Sequence, residues 1–334
     1  MRRSLAVVGL CVVAACGGGA TAPVVAPASS LASAPAARPA PAPSSAAARG
    51  PVALAKDAIA ASDWPRARAA LEPHASAHPD DAQAAYYLGV ALEHLGEPAL
   101  AEARYRAALH ASPDLVEAAV NLGALALDAD RADDALAVTR AALARRGDDP
   151  ALLTNLALGL RRKGDAAGAA DAYARAVAKQ PLDAELRFAY ATALVESGKK
   201  DAATAELRTA LTGATDRALL ASIARVFGQA GAYADCTAAF DRALGAGDAA
   251  ELRVGRGLCR HSLKDEAGAR ADFAAAVAAD PKHAAARFYL GQALLAAGDR
   301  KAGLEQLDRA AALDASGPVG KRSKAAAERA RAQK

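Results

Sequence analysis

Few side chains in this 334-residue sequence are spaced for catalysis or metal binding. Of the six histidines, only His74 and His78 lie four residues apart, which places both on one face of a helix. No third ligand accompanies them, whereas a zinc site takes three or four protein ligands. The sequence also has no glycine-rich phosphate loop, no His-Glu-x-x-His motif and no Cys-x-x-Cys pair. It therefore predicts no catalytic residue, no metal, no cofactor and no small-molecule substrate.

Composition and charge narrow the class of protein further. The net charge is +4 at pH 7, and two of the cations, Arg2 and Arg3, lie in a segment that we expect to be removed. A mature chain near neutrality gives no reason to expect nucleic acid as a partner. Hydrophobic residues make up 53% of the chain and aromatic residues only 4%, so alanine carries the packing. Alanine has the strongest helix propensity, and the composition favours helices over strands.

Cys16 lies where a cysteine would be chemically modified. Residues 1–3 are basic, residues 5–15 are apolar, and the small residues Val-Ala-Ala precede Cys16. The apolar run is too short to cross a bilayer, which needs about twenty residues. This pattern resembles the bacterial lipoprotein signal, which implies that residues 1–15 are removed and that Cys16 carries the lipid anchor. The alternative is an ordinary secretory signal cleaved near Ala15.

The residues after Cys16 indicate in which membrane the protein is anchored, and they are expected to form a linker. Gly17 stands where an aspartate would favour the inner membrane, so the resemblance implies anchoring in the outer membrane, facing the periplasm. Residues 17–50 are rich in Ala, Pro and Ser and contain six prolines and two charges. Such a composition cannot form a core. We expect residues 16–50 to be a lipidated cysteine with an extended linker, up to ~100 Å long.

Residues 82–113 contain the clearest structural pattern. Leu88-Gly89, Ala101, Tyr105 and Pro113 are spaced as two short helices that cross closely at small residues, with proline ending the second. These offsets resemble the tetratricopeptide repeat, a helix–turn–helix unit of thirty-four residues. One such hairpin cannot bury its own apolar faces, so further copies must stack on it.

The pattern recurs in register through most of the chain. Copies begin near residues 48, 82, 116, 150, 184, 217, 250 and 284. The resemblance predicts an all-α, right-handed superhelical solenoid of about eight repeats, formed as one domain by residues 51–316. Residues 317–334 are predicted to be a basic C-terminal tail, either a short exposed helix or a frayed end. This tail would be a solvated capping segment that keeps the last repeat from pairing with another chain. The alternative is an electrostatic contact with anionic lipid or cell-wall polymer.

In tetratricopeptide arrays the first helices of the repeats line a concave groove that binds partners. Asn121 and Asn155 stand thirty-four residues apart in Asn-Leu-Gly and Asn-Leu-Ala contexts. Stacked amides can donate to and accept from an extended backbone. The predicted groove comprises Tyr86, Tyr87, Val120, Asn121, Thr154, Asn155, Phe188 and Arg161. The alternatives are that the asparagines lie on a solvated side of the helix and that Arg161 complements a helix dipole.

Cys236 and Cys259 are placed in adjacent repeats, Cys236 near the start of a second helix and Cys259 on the next first helix. Export to an oxidising compartment would permit a disulfide between them. A bridge requires Cα atoms within about 7 Å, which the sequence does not establish. Both a disulfide and two buried free thiols stay open.

These features predict a non-catalytic scaffold or adaptor of the bacterial cell envelope. It would bind protein or peptide partners in its groove and reach the membrane through its N-terminal lipid anchor. A narrower alternative is similarity to the lipoproteins that pilot outer-membrane secretin rings in pilus and secretion systems. An alternative of another class, an envelope enzyme such as a wall hydrolase, is disfavoured because no pair of acidic residues stands out.

Overall fold

The computed structural model describes residues 50–333, which form helices and no strand. The helices are α1 (Pro51–Ala60), α2 (Trp64–Ala77), α3 (Ala82–His94), α4 (Pro98–Ala111), α5 (Val116–Asp128), α6 (Ala132–Arg146), α7 (Pro150–Arg162), α8 (Ala166–Lys179), α9 (Ala184–Glu196), α10 (Lys200–Gly213), α11 (Arg217–Ala230), α12 (Tyr233–Gly245), α13 (Ala250–Ser262), α14 (Glu266–Ala279), α15 (Ala284–Ala296), α16 (Arg300–Leu313) and α17 (Pro318–Ala332). The first sixteen pair in chain order as eight hairpins. The predicted all-α solenoid class is confirmed, while the signal peptide, Cys16 and the linker lie outside the described residues.

The helices divide into two compact units. The N-terminal unit holds α1–α8 and extends to Gln180, and the C-terminal unit holds α9–α17 and begins at Pro181. The repeat pattern over residues 51–316 predicted one continuous domain. Periodicity reports where each hairpin begins and carries no signal for this division, and the single domain stays a prediction.

One residue in the turn of every hairpin has a positive φ. These residues are Ser62, Gly96, Asp130, Gly164, Gly198, Gly231, Lys264 and Gly298. Five are glycines, which adopt this conformation without steric cost. Ser62, Asp130 and Lys264 adopt it at φ 57°, 58° and 66°. Their positions follow the predicted register of the repeats, including the loss of one residue at the sixth and seventh copies.

Aspartate side chains fix the start of many helices. The Asp81 carboxylate accepts a hydrogen bond from the Ala84 N–H at 2.9 Å, and Asp183 accepts one from Leu186 at 2.9 Å. Helix starts leave four backbone N–H groups without intrahelical partners, and such caps satisfy one or two of them. The bond from Ala84 lowers the pKa of Asp81. Where such a cap is present, the helix begins at a defined residue.

The core of each hairpin has one buried side chain at the same position of the second helix, and in seven of the eight this side chain is large. The eight residues at this position, all buried, are Leu71, Tyr105, Thr139, Tyr173, Leu207, Phe240, Phe273 and Leu307. They face the small residues of the first helix, as a Cβ at Gly89 would lie 2.6 Å from the Tyr105 ring. A Cβ at Gly257 would lie 2.6 Å from the Phe273 ring. The glycines of the Leu-Gly pattern are thus required by the close approach of the two helices.

Residues 318–332 form the helix α17, so the predicted short helix is present and the frayed alternative is wrong, but one face of the helix is packed and not exposed. Gly320, Ser323, Ala326, Ala327 and Ala330 are buried. Ala326 and Ala327 pack into a core cluster with side chains of α15 and α16. The basic residues dominated the sequence pattern, whereas the small residues at helical spacing make the packed face.

Candidate partner-binding surface

The polar groups of the second and third hairpins meet at the hydroxyl of Tyr105. This tyrosine lies on α4, and its ring is fully buried. Its hydroxyl donates to the Glu93 carboxylate on α3 at 2.8 Å. The same oxygen accepts a hydrogen bond from the Asn121 amide on α5 at 3.1 Å. One buried side chain therefore links two helices of its own hairpin to the first helix of the next.

Tyr86 and Tyr87 complete a cluster of aromatic rings around this hydroxyl. We call Tyr86, Tyr87 and Tyr105 the tyrosine cluster. The ring centroids of Tyr86 and Tyr87 lie 5.0 Å apart in an edge-to-face arrangement, and those of Tyr86 and Tyr105 lie 6.0 Å apart. The ammonium of Lys56 lies 4.8 Å from the centroid of the Tyr87 ring. Edge-to-face pairs and a cation over a ring face are both favourable geometries, so the rings are held in fixed orientations.

Tyr86 and Tyr105 are neutral hydrogen-bonding groups at physiological pH. Burial, the largest cause, raises the pKa of Tyr86 to about 12. Burial also raises the pKa of Tyr105, and the nearby Glu93 carboxylate raises it further. A neutral phenol both donates and accepts a hydrogen bond. The cluster can therefore recognise amide or hydroxyl groups, and it offers no nucleophile or general base.

Five of the predicted groove residues form one half-buried surface in the N-terminal unit. They are Tyr86, Tyr87, Val120, Asn121 and Thr154. Half-buried side chains of this kind are held by packing on one side and expose the other to a partner. The hydroxyl of Thr154 donates to the Pro150 carbonyl of its own helix at 2.8 Å, so this hydroxyl is already used within α7.

Asn155 does not belong to this surface, and its prediction as a partner-binding residue is wrong. Its side chain is 1% exposed, and its amide donates to the Val120 carbonyl at 2.8 Å. A Cβ at Gly123 would lie 3.0 Å from the Asn155 amide nitrogen and 3.2 Å from the Thr139 hydroxyl. The third hairpin has the small Thr139 where others have a ring or leucine, and Asn155 packs beside it. Contrary to the sequence prediction, the amides of Asn121 and Asn155 therefore do not line the groove together.

The other two predicted groove residues are Phe188 and Arg161. Phe188 is half-buried on α9, in the C-terminal unit. Arg161 is half-buried in the last turn of α7, beside Arg162, which donates to the Leu127 carbonyl. Lys163 follows and pairs with Asp133 at 3.0 Å. Cations in the last turn of a helix suit its dipole, which is the alternative interpretation of Arg161.

Sequence reasoning missed the role of the Tyr105 hydroxyl. Tyr105 marked a packing position of the repeat, where the pattern asks only for a large ring. The available signal was the difference between tyrosine and phenylalanine, because a buried phenol needs a hydrogen-bond partner. Asn121 and Glu93 supply it from residues sixteen and twelve positions away.

The C-terminal unit contains a disulfide between Cys236 on α12 and Cys259 on α13. Their Cα atoms lie 6.2 Å apart, within the range a bridge requires. Both cysteines are buried. The bridge joins the second helix of the sixth hairpin to the first helix of the seventh.

The seventh hairpin contains a buried ion cluster. Asp272 on α14 is 2% exposed and accepts hydrogen bonds from Arg256 at 3.0 Å and from Arg260 at 2.9 Å. Arg256 also donates to Asp241 at 2.6 Å. These carboxylates raise the pKa of Arg256, with the Asp272 hydrogen bond as the largest cause. Every charge in the cluster has an opposite partner, which is typical of a structural ion cluster.

The described part of the chain has neither a cluster of metal ligands nor a membrane-spanning helix. Residues 50–333 contain no group of three His, Cys, Asp or Glu side chains arranged to hold a metal ion. Over the same residues, no helix combines the length and the apolar character needed to cross a membrane.

A family model of the tetratricopeptide repeat matches residues 52–115, 95–150, 154–218, 222–282 and 267–318. A search of curated protein sequences finds no match. The C-terminal part of a repeat-containing protein from Cytophaga hutchinsonii is similar in structure, with 12% identity, a TM-score of 0.59, and coverage of 71% of this chain and 98% of that chain. A tetratricopeptide repeat protein of Parabacteroides merdae shows 16% identity, a TM-score of 0.52, and coverage of 73% and 97%.

The structure of pilF from Pseudomonas aeruginosa is also similar, with 16% identity and a TM-score of 0.50. The match covers 57% of this chain and 88% of that chain. At such identities, all three similarities show a shared fold alone.

Proposed function

Because the chain belongs to the tetratricopeptide repeat family, we propose that it is a non-catalytic scaffold of the bacterial cell envelope. It binds an extended protein segment on the half-buried surface of the second and third hairpins. The tyrosine cluster with Asn121 is the observation that carries this proposal. Ring faces and amide groups held in fixed orientations lose little conformational entropy when a partner binds.

The chemistry of this surface favours a peptide backbone over a charged ligand. Asn121 has both a donor and an acceptor, and its position is fixed by the bond to Tyr105. Tyr86 is neutral at physiological pH because burial raises its pKa to about 12. Backbone amides alternate donors and acceptors, and the aromatic rings pack against the side chains between them.

A partner protein captured with the parent chain can be titrated against surface variants to test this proposal. The double variant Tyr86→Phe/Asn121→Ala removes one hydroxyl and one amide and keeps the ring. Captured partner should then bind about tenfold more weakly, since each lost bond contributes ~0.5–1.5 kcal/mol. His110→Ala, on an exposed position of α4 in the same hairpin, is the matched control. A partner that binds both variants as it binds the parent would contradict the proposal.

The envelope location rests on Cys16 and is supported by the disulfide. Disulfides persist in oxidising compartments such as the periplasm and are rare in the cytosol. Lipid on Cys16 would hold the scaffold at the membrane, and stable anchoring takes more than one acyl chain. In the variant Cys16→Ser, the protein should move from the detergent phase to the aqueous phase during phase partitioning. Retention of the cleaved variant in the detergent phase would rule this anchor out.

A pilotin-like role in secretin assembly is a second candidate function. The structural similarity to pilF of Pseudomonas aeruginosa supports the shared fold, and the proposed lipid anchor suits a protein that acts at the outer membrane. Deletion of this protein should then reduce the assembled secretin multimers in the outer membrane. If the amount of assembled secretin does not change, the pilotin-like role is contradicted. The general scaffold proposal is not affected by that result.

An enzymatic role has no support in the geometry. The buried carboxylate Asp272 is neutralised by two arginines, and burial raises the pKa of Tyr86 to about 12, so its hydroxyl is protonated at neutral pH. Tetratricopeptide repeats are typical of interaction scaffolds. Purified protein should therefore release no product from peptidoglycan, and measurable release would reopen the wall-hydrolase alternative.

A further inference from the structure

Two exposed carboxylates flank the tyrosine cluster. Glu93 lies on α3, seven residues after Tyr86, and Glu117 lies in the first turn of α5, four residues before Asn121. Residues four or seven positions apart share one face of a helix. Both carboxylates therefore lie on the helix faces that carry the half-buried surface, one on α3 and one on α5.

The carboxylate of Glu93 is held in place by the cluster itself. It accepts the hydrogen bond from the Tyr105 hydroxyl at 2.8 Å, and the same hydroxyl oxygen accepts from the Asn121 amide at 3.1 Å. An ionised carboxylate offers about four acceptor sites. The bond from Tyr105 uses one of them, so the other sites can accept hydrogen bonds from a partner.

The charges of both carboxylates act on the hydroxyl of Tyr86. Burial is the largest cause of its raised pKa, about 12, and the charges of Glu117 and Glu93 raise that pKa further. Nearby negative charges disfavour the phenolate in this way. Neither carboxylate forms an ion pair with a side chain of residues 50–333. The half-buried surface therefore carries two negative charges that no ion pair of the described chain neutralises.

The chain itself shows how a cation packs on these rings. The ammonium of Lys56 on α1 lies 4.8 Å from the centroid of the Tyr87 ring. A cation within about 6 Å of a ring centroid is attracted by the ring face. Among the described residues Tyr86 has no such cation, although it lies between Glu93 and Glu117. The Tyr86 ring and the two carboxylates thus present the chemistry that recognises a cation.

We propose that the half-buried surface selects a partner segment with a basic side chain, whose cation packs on the Tyr86 ring and pairs with Glu93 and Glu117. This selection rests on the proposed function, because Asn121 and the rings bind the backbone of the same segment. The carboxylates add a choice of side chain to that backbone contact. Arginine fits better than lysine, since its planar guanidinium both stacks on a ring and donates two parallel bonds to a carboxylate.

Dye-labelled short peptides of alternating serine and valine, with one central residue varied, are the probes for this selection. In fluorescence anisotropy with the full chain, the arginine peptide should bind about tenfold more tightly than the glutamine peptide. One cation–ring contact and two partly exposed ion pairs together provide this factor. The lysine peptide should bind between the two. The glutamate peptide should bind more weakly than the glutamine peptide, because like charges repel.

The variant Glu93→Gln/Glu117→Gln removes both charges and keeps an acceptor for the Tyr105 hydroxyl. It should reduce the preference for arginine over glutamine to less than about twofold, since only the ring contact remains. Asp80→Asn/Asp171→Asn is the matched control. It removes two exposed carboxylates from the N-terminal unit, one in the loop before α3 and one on α8, and should keep the preference. All four positions are exposed, so both variants retain the fold.

Equal affinities of the arginine and glutamine peptides for the parent chain would overturn this selection. If Tyr86→Phe/Asn121→Ala still weakens both peptides in that case, the proposed function stands without it. Equal loss of the preference in the two carboxylate variants would assign it to net charge and overturn the selection, as would tighter binding of the glutamate peptide. No binding of any peptide would contradict both the selection and the proposed function.

Discussion

The second and seventh hairpins share the same helical repeat, but different polar side chains lie at their helix crossings. In the second, Leu88 is buried before Gly89, and the polar groups meet at the Tyr105 hydroxyl near the surface. In the seventh, Arg256 takes the position of Leu88, seventh in its helix, and pairs with the buried Asp272. The repeat therefore dictates size and spacing at the helix crossing. Polarity can change at these positions when a partner of opposite charge changes with it.

The largest expected effect on stability comes from a variant that breaks the ion cluster of the seventh hairpin. Asp272→Ala leaves Arg256 and Arg260 without their buried partner, and the free energy of unfolding should fall by about 3–5 kcal/mol. Denaturant unfolding followed by circular dichroism measures the loss. In Arg256→Leu/Asp272→Ala, which restores an apolar pair as in other repeats, stability should return close to the parent value. A single variant as stable as the parent would mean that the two hairpins do not differ as described.

Reduction of the disulfide should have the next largest effect, confined to the C-terminal unit. The bridge closes a span of 23 residues, and a loop of this size contributes about 3 kcal/mol by restricting the unfolded chain. Reductant should lower the unfolding midpoint of the parent. It should leave Cys236→Ala/Cys259→Ala unchanged, which is the control. An equal response of both proteins would show that the bridge does not stabilise the unit.

The two asparagines of the N-terminal unit should respond differently to the same truncation. Asn155→Ala removes the side-chain donor to the Val120 carbonyl and opens space beside Gly123, at a cost of about 1–3 kcal/mol. Asn121→Ala removes a bond on the half-buried surface and should cost less than about 1 kcal/mol. Thermal unfolding of both variants measures the difference. Equal losses would place both asparagines in the same environment and contradict the structure.

The smallest expected effect is an alkaline loss of stability in the N-terminal unit. Burial raises the pKa of Tyr86 to about 12, whereas an unfolded tyrosine has a pKa of about 10. The unfolded chain thus binds fewer protons above about pH 10, and the contribution of Tyr86 is full below this pH and declines as the pH rises toward 12. Tyr105, whose pKa burial also raises, adds to the decline in the same direction.

Thermal unfolding between about pH 8 and pH 11 gives the measurement. Tyr86→Phe should show a shallower decline than the parent, by at most about 1 kcal/mol at the alkaline end. Tyr233→Phe, which changes a tyrosine of the C-terminal unit, is the control. A parent and a Tyr86→Phe variant with the same pH dependence would contradict the role given to burial of Tyr86.

Much of the fold followed from the sequence because size and spacing decide it. The starts of α3 and α5 agree with the predicted repeats, and even the two shortened repeats were in register. The site was harder to predict, since Asn121 and Asn155 occupy equivalent positions with nearly the same neighbours. Their burial differs because of Thr139, a residue on another helix, and a repeat pattern does not report such a contact. The buried face of α17 was likewise not predicted, because its small residues alternate with basic residues in the sequence.

The disulfide also has a mechanical consequence. A chain pulled at both ends loses repeat units successively, because each hairpin is held mainly by its neighbours. The bridge between Cys236 and Cys259 withholds its 23-residue span from extension. At ~3.5 Å per residue, this shortens the contour length of the stretched chain by about 80 Å. Under load, the bridged loop would transmit tension through a covalent bond, so the sixth and seventh hairpins would remain joined after their helices had unravelled.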